Sequence, residues 1–325
     1  MTLPRLGLGC MNLSHAYGTP PSFDEGVAIV GGALDDGIRM LDTATLYGGG
    51  RNEELVGRAI AGRRDEVVLA SKGGMALVDG VKVIDGRPQT LRGHVDASLV
   101  SLGVDHIDLY YLHRWDKSVP IADSVGALAE ARDAGKIGAI GLSEVSVARL
   151  REAQTVAPVA AVQNEYSLWT RNAELGMLEA TRTDGIALVA FSPVARGFLA
   201  DGVGDPDALA PKDIRRAMPR FQPEHWPVNA ALLPPWRALA AEAQCTPAQL
   251  ALAWLLSRGD HVVPIPGTTR AAHVRENLAA LEVAVDPGVL IRAGELISHA
   301  TVSGSRYSAL GNTEVDAETF EDAAA

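Results

Sequence analysis

The feature that most constrains this chain is a regular alternation between short apolar runs rich in β-branched residues and longer amphipathic stretches. Such alternation is typical of parallel strands joined by crossover helices. Helix starts separate the runs: Ser22 and Glu25 form the pattern of a capping box, and Thr246-Pro247 puts proline at a first helical position. The eight predicted strands are Arg5 to Gly9, Arg39 to Asp42, Glu66 to Lys72, Ile107 to His113, Ile137 to Leu142, Val159 to Gln163, Ile186 to Phe191 and His261 to Pro264. Eight such units predict an α/β protein, a (β/α)8 TIM barrel.

Two segments interrupt this alternation, and each follows the carboxyl end of a predicted strand. In the first, residues 76–78 and 81–83 flank Asp79-Gly80, which is a hairpin signal. In the second, about seventy residues with many prolines separate the seventh and eighth strands. Loops this long at the carboxyl-terminal face usually cover a ligand. No low-complexity linker divides the chain, so we predict a single domain over residues 1–325 with long loops at that face.

The two ends of the chain depart from a plain barrel pattern. The first strand begins almost at the amino terminus, which leaves no room for a β-hairpin under the barrel, so another element has to close the lower end. The tail, residues 300–325, is acidic and ends in alanines, and we expect it to be partly disordered.

Composition and charge exclude several classes of protein. A chain that is 47% hydrophobic and 21% charged is typical of a globular enzyme. A net charge of -11 and a pI near 5.2 disfavour nucleic acid and anionic membranes as partners. Two cysteines cannot form a disulfide framework, the first residues lack a signal-peptide pattern, and no apolar run reaches the ~18 residues of a membrane span. We therefore expect a cytoplasmic protein.

Four ionisable residues, Asp42, Tyr47, Lys72 and His113, lie at or just past the ends of apolar runs. In an α/β barrel, the residues at the carboxyl ends of the strands converge on one mouth, where catalysis takes place. One such residue alone is more often an ion-paired or structural group. Four around one mouth predict a catalytic site.

The chain is similar to the aldo-keto reductase superfamily, whose members are NAD(P)H-dependent reductases built on a barrel. The segments that carry this resemblance lie in order at successive strand ends: 7–11, 41–48, 71–72, 112–114, 141–143, 163–167, 191–193, 265–268 and 276–277. The resemblance implies reduction of an aldehyde or ketone to an alcohol by hydride transfer.

The chemistry of carbonyl reduction gives each of the four residues a role, and the resemblance implies the same roles. Hydride addition builds negative charge on the carbonyl oxygen, and a phenol with a pKa of ~10 is a poor acid unless its anion is stabilised. We therefore predict that Tyr47 donates the proton, that Lys72 stabilises its anion and that Asp42 holds Lys72 charged. His113 would hydrogen-bond and orient the carbonyl oxygen.

The resemblance also implies a cofactor channel around the mouth. Ser143 and Gln163 are suited to the nicotinamide carboxamide, and Phe191 offers a flat face to the ring. The predicted cofactor-binding residues are Met11, Ser143, Gln163, Phe191, Ser192, Arg196, Gly197, Leu199, Gly267, Thr268, Arg270, His273, Glu276 and Asn277. Ser192 to Leu199 would hold the pyrophosphate, and the residues after the eighth strand would hold the adenosine phosphate.

The sequence departs from the family pattern at three of these positions. Glu144 follows Ser143 where many members have asparagine, so Ser143 and Gln163 alone are expected to hold the carboxamide. Phe191 replaces a common tyrosine and keeps the stacking face. His273 stands where many NADPH-preferring members have arginine, leaving Arg270 as the cation for a 2′-phosphate. NADPH is predicted over NADH on that arginine, with NAD as a possible second cofactor.

The substrate is predicted to be a small carbonyl compound, with Tyr17 and Trp115, together with Met11 and residues 194–235, forming its walls. Two alternatives stay open: a cofactor-sensing regulatory subunit of the same fold with slow or no turnover, and an aldolase that uses Lys72 as a Schiff base. A metal-dependent hydrolase is disfavoured because no metal-ligand cluster occurs in the sequence, so no metal is expected. The sequence does not predict the oligomeric state.

Overall fold

A computed structural model of the chain describes residues 1–320. The strands of the barrel are β1 (Leu8–Gly9), β2 (Met40–Asp42), β3 (Val68–Gly73), β6 (Ile107–Leu112), β7 (Ile137–Ser143), β8 (Val159–Glu165), β9 (Ala187–Phe191) and β10 (Val262–Pro264), while β4 (Met75–Val78) and β5 (Val81–Ile84) form the predicted hairpin. The eight barrel strands are parallel and neighbour one another in that order.

Backbone hydrogen bonds join the two edges of this sheet. The Gly7 N–H donates to the Pro264 carbonyl at 3.1 Å, and the Gly9 N–H donates to the Pro266 carbonyl at 3.3 Å. The first strand is therefore hydrogen-bonded to the last residue of β10 and to the segment just after it. The eight-stranded sheet closes into a barrel. The predicted (β/α)8 barrel in a single domain is confirmed.

Helices connect the strands and pack around the barrel. They are α1 (Phe23–Asp35), α2 (Arg51–Ala59), α3 (Pro88–Leu102), α4 (Ile121–Asp133), α5 (Val147–Gln154), α6 (Met177–Asp184), α7 (Trp226–Ala230), α8 (Leu233–Glu242), α9 (Pro247–Leu256), α10 (Ala271–Ala279), α11 (Pro287–Leu296) and α12 (Ala309–Thr313). The predicted capping box opens α1 at Ser22, and Thr246 with Gln249 forms a second at α9. Within residues 1–320 no helix has the length and apolarity to cross a bilayer.

Two apolar layers hold the barrel together. Residues facing the helices form the larger cluster, while Met40, Ala70, Leu109, Tyr111, Ala161, Val189, Val263 and Ile265 fill the interior. Because side chains alternate along a strand, neighbouring residues such as Leu69 and Ala70 belong to different layers.

Leu3, which precedes the first strand, lies at the lower end of the barrel interior. Leu3 packs against the inner cluster, as do Val68, Ala139 and Ala187 near the amino ends of their strands.

The tail is in contact with the barrel through residue 320. Its contacts include Lys82 with Glu314 and Lys117 with the Val315 carbonyl. Part of the expected disorder falls on residues 321–325, which lie outside the described residues.

Gly57 in α2 tests how tightly the outer layer is packed. A Cβ at this position would lie 2.3 Å from the carbonyl oxygen of Leu102, at the end of α3. Although alanine is the better helix former, we expect Gly57→Ala to lower the free energy of unfolding by about 1–3 kcal/mol because two backbones must separate.

The matched control is Gly126→Ala in α4, where a Cβ would meet nothing within 4 Å. That variant should equal the wild type or gain up to about 1 kcal/mol. Urea unfolding followed by circular dichroism measures both. Equal stability of the two variants would contradict the tight contact between α2 and α3.

Candidate active site

The top of the barrel interior is polar where the rest is apolar. Five of the predicted site residues each follow an inward-facing residue of the inner layer by two positions, as Asp42 follows Met40 and Lys72 follows Ala70. Since alternate residues face the same side of a strand, these side chains stay on the inner face and form its last layer. His113, Gln163 and Phe191 follow Tyr111, Ala161 and Val189 in the same way.

Lys72 is the centre of the four predicted catalytic residues. Its Nζ donates to a carboxylate oxygen of Asp42, to the Thr43 carbonyl at 2.8 Å and to the Tyr47 Oη at 3.3 Å. Neither Lys72 nor Asp42 is more than 2% exposed, so both charges are removed from water. The ammonium therefore has an acceptor for each of its three hydrogens.

The turn after β2 places Tyr47 against this ammonium. Gly48, Gly49 and Gly50 have φ angles of 59°, 66° and 94°, a left-handed run that favours glycine. A Cβ on Gly48 would lie 2.9 Å from the Ser14 Cβ. The three glycines form the turn between Tyr47 and the start of α2 at Arg51.

The electrostatics keep Lys72 charged and Tyr47 protonated. Burial lowers the pKa of Lys72, but Asp42 and the Tyr47 oxygen outweigh it, so that pKa lies above its usual value. Burial raises the pKa of Tyr47, and Lys72 opposes that rise. The phenol thus keeps its proton at neutral pH, and the adjacent cation stabilises the anion that would form after proton release.

His113 completes the group on the opposite side of Tyr47. The two rings are nearly perpendicular, with centroids 5.8 Å apart. Burial, then Arg114 and Lys72, hold the pKa of His113 well below its usual value of 6.5, so the ring is neutral. Its buried Nδ1 has no hydrogen-bond partner among residues 1–320. A neutral imidazole beside a phenol can bond an oxygen placed between them.

A cavity of about 560 Å³ extends from this group across the mouth of the barrel to the start of α10. Most of the predicted site residues line it: Met11, Tyr17, Asp42, Tyr47, His113, Ser143, Gln163, Phe191, Ser192, Arg196, Gly197, Gly267, Thr268, His273, Glu276 and Asn277. Lys72 lies behind Tyr47 and Asp42. The ionisable groups around Tyr47 therefore form one wall of an extended channel.

Three of the predicted residues lie away from the cavity. Leu199 is fully buried, and its carbonyl accepts the indole N–H of Trp236. Trp115 donates its own indole N–H to the Val119 carbonyl, and Arg149 covers its ring. Arg270 is exposed at the residue before α10. Trp115 thus lies outside the wall that the sequence assigned to it.

The channel has the shape and chemistry that a nicotinamide dinucleotide requires. At one end Gln163 donates through its amide nitrogen to Asp42 at 2.7 Å, which fixes the side chain, while Phe191 rests on the barrel core. At the other end Thr268 bonds His273 at 3.2 Å beside the first turn of α10. A Cβ on Gly267 would lie 2.9 Å from the Gly9 carbonyl oxygen, so only glycine keeps this junction of strand and channel. The residues present fit the cofactor.

Arg196, predicted to lie in the segment that holds the pyrophosphate, already has protein partners in the structure. Its guanidinium pairs with Glu165 at 2.8 Å and donates to the hydroxyls of Tyr17 at 3.1 Å and Tyr307 at 3.2 Å. Burial raises the pKa of Glu165, but the nearby arginines outweigh it and hold that pKa below its usual value. The charge of Arg196 is therefore balanced by Glu165 before any ligand binds.

The C-terminal tail covers part of the cavity. Tyr307, Gly311, Glu314 and Val315 line it. The tail is anchored by Arg306, which pairs with the Glu144 carboxylate, and by Asp316, which accepts from the Ser146 hydroxyl at 2.7 Å. Glu318 accepts the first N–H of α5, from Val147, at 2.6 Å. We call residues 306–318 the strap.

The family of the chain follows from comparison with known proteins. A model of the aldo/keto reductase family matches residues 5–292. The chain belongs to the aldo/keto reductase family. The aldo-keto reductase yakc of Schizosaccharomyces pombe, whose name specifies NADP(+), is 40% identical over 313 residues, which are 94% of this chain and 92% of that protein.

Solved structures of aldo/keto reductases share the barrel. A glycerol dehydrogenase from Gluconobacter oxydans has a TM-score of 0.82 at 27% identity, covering 93% of this chain and 94% of its own. An aldo/keto reductase from Klebsiella pneumoniae, solved with NADP and acetate, has a TM-score of 0.71 at 25% identity, covering 94% and 95%. The resemblance predicted from the order of the motifs is confirmed.

Sequence reasoning missed several residues of this aldo/keto reductase's cavity. His15 lies beside Tyr47, with ring centroids 5.5 Å apart. Arg114 was recognised as part of a motif but given no role, and the strap was expected to be partly disordered. The one sequence feature that could have indicated the strap is Glu144, because a carboxylate at the end of a buried strand needs a cation as its partner.

The pair between Glu144 and Arg306 should hold the strap in place. Arg306→Met leaves a buried carboxylate without its cation, and loss of one partner of a buried pair costs about 3–5 kcal/mol. We expect a drop of that order in the free energy of unfolding, together with faster amide exchange in residues 306–318. Urea unfolding and hydrogen exchange read by mass spectrometry test both.

The control is Lys82→Met, which breaks the more exposed pair with Glu314. It should cost less than about 1 kcal/mol. Wild-type exchange across the strap in Arg306→Met would refute the anchoring role.

Proposed function

We propose that this aldo/keto reductase reduces an aldehyde or ketone to the corresponding alcohol, with NADPH as the hydride donor and Tyr47 as the proton donor. The observation that carries the proposal is the contact of one buried ammonium, that of Lys72, with both Asp42 and Tyr47 at the wall of an extended cavity. The NADP named in the yeast relative and held by the Klebsiella protein supports the choice of cofactor.

Each of the four residues has a separate role in protonating or orienting the carbonyl oxygen. When bound, NADPH supplies a hydride to the carbonyl carbon. Tyr47 gives its proton to the oxygen, and the resulting phenolate is stabilised by Lys72, which Asp42 keeps charged. The neutral ring of His113 donates a hydrogen bond to the same oxygen and orients it. The proton on Tyr47 is replaced from solvent after the alcohol leaves.

The channel residues hold the cofactor in this proposal. Ser143 and Gln163 bind the carboxamide, and Phe191 supports the ring. Ser192 and Gly197 lie where the pyrophosphate passes. Arg270, which forms no ion pair among the described residues, and the cluster of Thr268, His273, Glu276 and Asn277 bind the adenosine phosphate end.

A Schiff-base aldolase receives no support from this geometry. Lys72 does not line the cavity, and its pKa lies above the usual value, whereas a nucleophilic amine must lose its proton. The buried ammonium is a charge that acts on Tyr47.

Single-turnover kinetics test the proposed activity directly. Enzyme loaded with NADPH is mixed in a stopped-flow instrument with a reactive aromatic aldehyde, and the absorbance of the reduced cofactor is followed. We expect rapid oxidation of one equivalent. Tight binding of NADPH without oxidation would instead favour a cofactor-sensing regulatory subunit.

Tyr47→Phe should remove most of the activity while leaving cofactor binding nearly intact. The loss of a general acid lowers kcat by about 10²–10⁴-fold, and the change keeps the aromatic ring against Lys72. The dissociation constant of NADPH, measured by fluorescence, should stay within about threefold because the phenol is assigned to the substrate oxygen.

Tyr111→Phe is the matched control for this variant. Tyr111 is a second buried phenol beside Lys72, with the ammonium 5.9 Å from its ring centroid, but it lies in the barrel interior and does not line the cavity. Its reduction rate should remain close to that of the wild type. Near wild-type reduction by Tyr47→Phe would remove Tyr47 as the acid.

The pH dependence should reflect a neutral His113. Because burial holds its pKa well below 6.5, the ring gains no proton between about pH 6 and 8. The kcat/KM for reduction should therefore be flat over that range and fall only in alkaline solution, as Tyr47 loses its proton. A titration near pH 6.5 that disappears in His113→Asn would contradict this assignment.

A further inference from the structure

Four lysine and arginine side chains line the cavity, and three of them have a carboxylate partner. Lys82 pairs with Glu314 at 2.5 Å, Arg196 with Glu165 at 2.8 Å and Arg215 with Asp213 at 2.7 Å. Arg114 also lines the cavity, yet within residues 1–320 no carboxylate lies within ion-pair distance of it. A partly buried cation without a counter-charge is unfavourable unless a ligand supplies one.

The structure fixes one nitrogen of Arg114 and leaves the opposite edge open. Its Nη1 donates to the His113 carbonyl at 2.6 Å and to the Ser143 Oγ at 3.0 Å, which uses both hydrogens of that nitrogen. Among the described residues no acceptor bonds its Nε or Nη2. The N–H bonds along that edge are parallel, which is the geometry that binds a carboxylate through both oxygens.

The position of Arg114 indicates where such a carboxylate comes from. Its contacts to His113 and Ser143 place it at the reacting end of the channel, where the proposed cofactor presents an uncharged carboxamide. The anionic phosphates of the cofactor are assigned to the other end, at Gly197 and the start of α10. An anion at Arg114 must therefore belong to the substrate.

We propose that Arg114 is a specificity-determining residue that binds a carboxylate on the substrate, so that this enzyme prefers carbonyl compounds that also carry a carboxylate. The proposal rests on the carbonyl reductase activity argued above. Since His113 precedes Arg114 directly, one short segment holds both the carbonyl oxygen and the anionic group. Substrates that lack the anion would leave the guanidinium edge without a partner.

Matched substrates measure this preference without changing the protein. The three isomers of carboxybenzaldehyde are compared with their methyl esters, which keep the aldehyde and remove only the charge. For the best isomer, we expect kcat/KM at least about tenfold above that of its ester, because a site with an unpaired polar group discriminates against a ligand that lacks the partner. The difference should lie mainly in KM.

Arg114→Gln should remove the preference, bringing the ratio of acid to ester close to one. The ratio is the readout because Arg114 also contacts His113 and Ser143, and it cancels any effect that is common to both substrates. Arg149→Gln is the control: it removes the same unit of charge from a residue that covers Trp115 and lies outside the cavity. Its ratio should equal that of the wild type.

Binding supplies a second readout that does not depend on turnover. Calorimetry measures the affinity of the (hydroxymethyl)benzoate matching the best aldehyde, or of all three isomers if none reacts, for enzyme saturated with NADP+. Arg114→Gln should weaken this affinity at least about tenfold. The dissociation constant of NADPH and the thermal midpoint, measured alongside, establish that the variant is folded and binds cofactor.

Each possible result bears on one proposal or the other. A wild-type ratio near one, or a ratio unchanged in Arg114→Gln, would overturn the role of Arg114 while leaving the reductase intact. Equal losses for acid and ester with weaker NADPH binding would overturn it too, and would make Arg114 a support for Ser143. No NADPH oxidation by any of the aldehydes would count against the reductase, and the binding measurement would then decide on the carboxylate site.

Discussion

The ion pair between Lys72 and Asp42 is the interaction on which the mouth of this barrel depends. A buried ammonium is tolerated only where acceptors surround it, and here Asp42, the Thr43 carbonyl and Tyr47 supply all three. The parallel register of β2 and β3 sets Asp42 beside Ala70, two residues before Lys72 on the same inner face. Gln163 satisfies the second carboxylate oxygen from across the barrel. The pairing of β2 with β3 therefore also brings the carboxylate of Asp42 to the Lys72 ammonium.

Local pattern was sufficient to predict this part of the molecule. The strands are visible in the sequence as apolar runs. Asp42, Lys72 and His113 lie at or directly after the ends of these runs, so they could be recognised without coordinates. Capping residues such as Ser22 and Thr246 act within a few positions of themselves. The eight strands are accordingly found where they were expected, with bounds that differ by a few residues.

Contacts between segments that are distant in sequence could not be predicted from local patterns. Arg306 lies 162 positions from Glu144, and no spacing rule connects them. Arg196 has the side chain expected of a phosphate ligand. Its partner Glu165 belongs to β8, however, and balances the charge of Arg196 before a ligand binds. Trp115 directly follows His113 and Arg114 in sequence, yet its ring lies under Arg149 and outside the cavity. Glu144 has a φ of 56°, and its carboxylate contacts both Arg306 of the strap and the backbone N–H of Glu165.

The strap also ties the site to the order in which the chain is synthesised. All eight barrel strands precede residue 265, and Asp42, Tyr47, Lys72 and His113 all precede residue 114. Tyr307, Gly311, Glu314 and Val315, which line the same cavity, are synthesised only after all of these residues. A truncated product that ends before Arg306 contains the whole barrel but leaves Glu144 without its cation and the cavity with one wall missing.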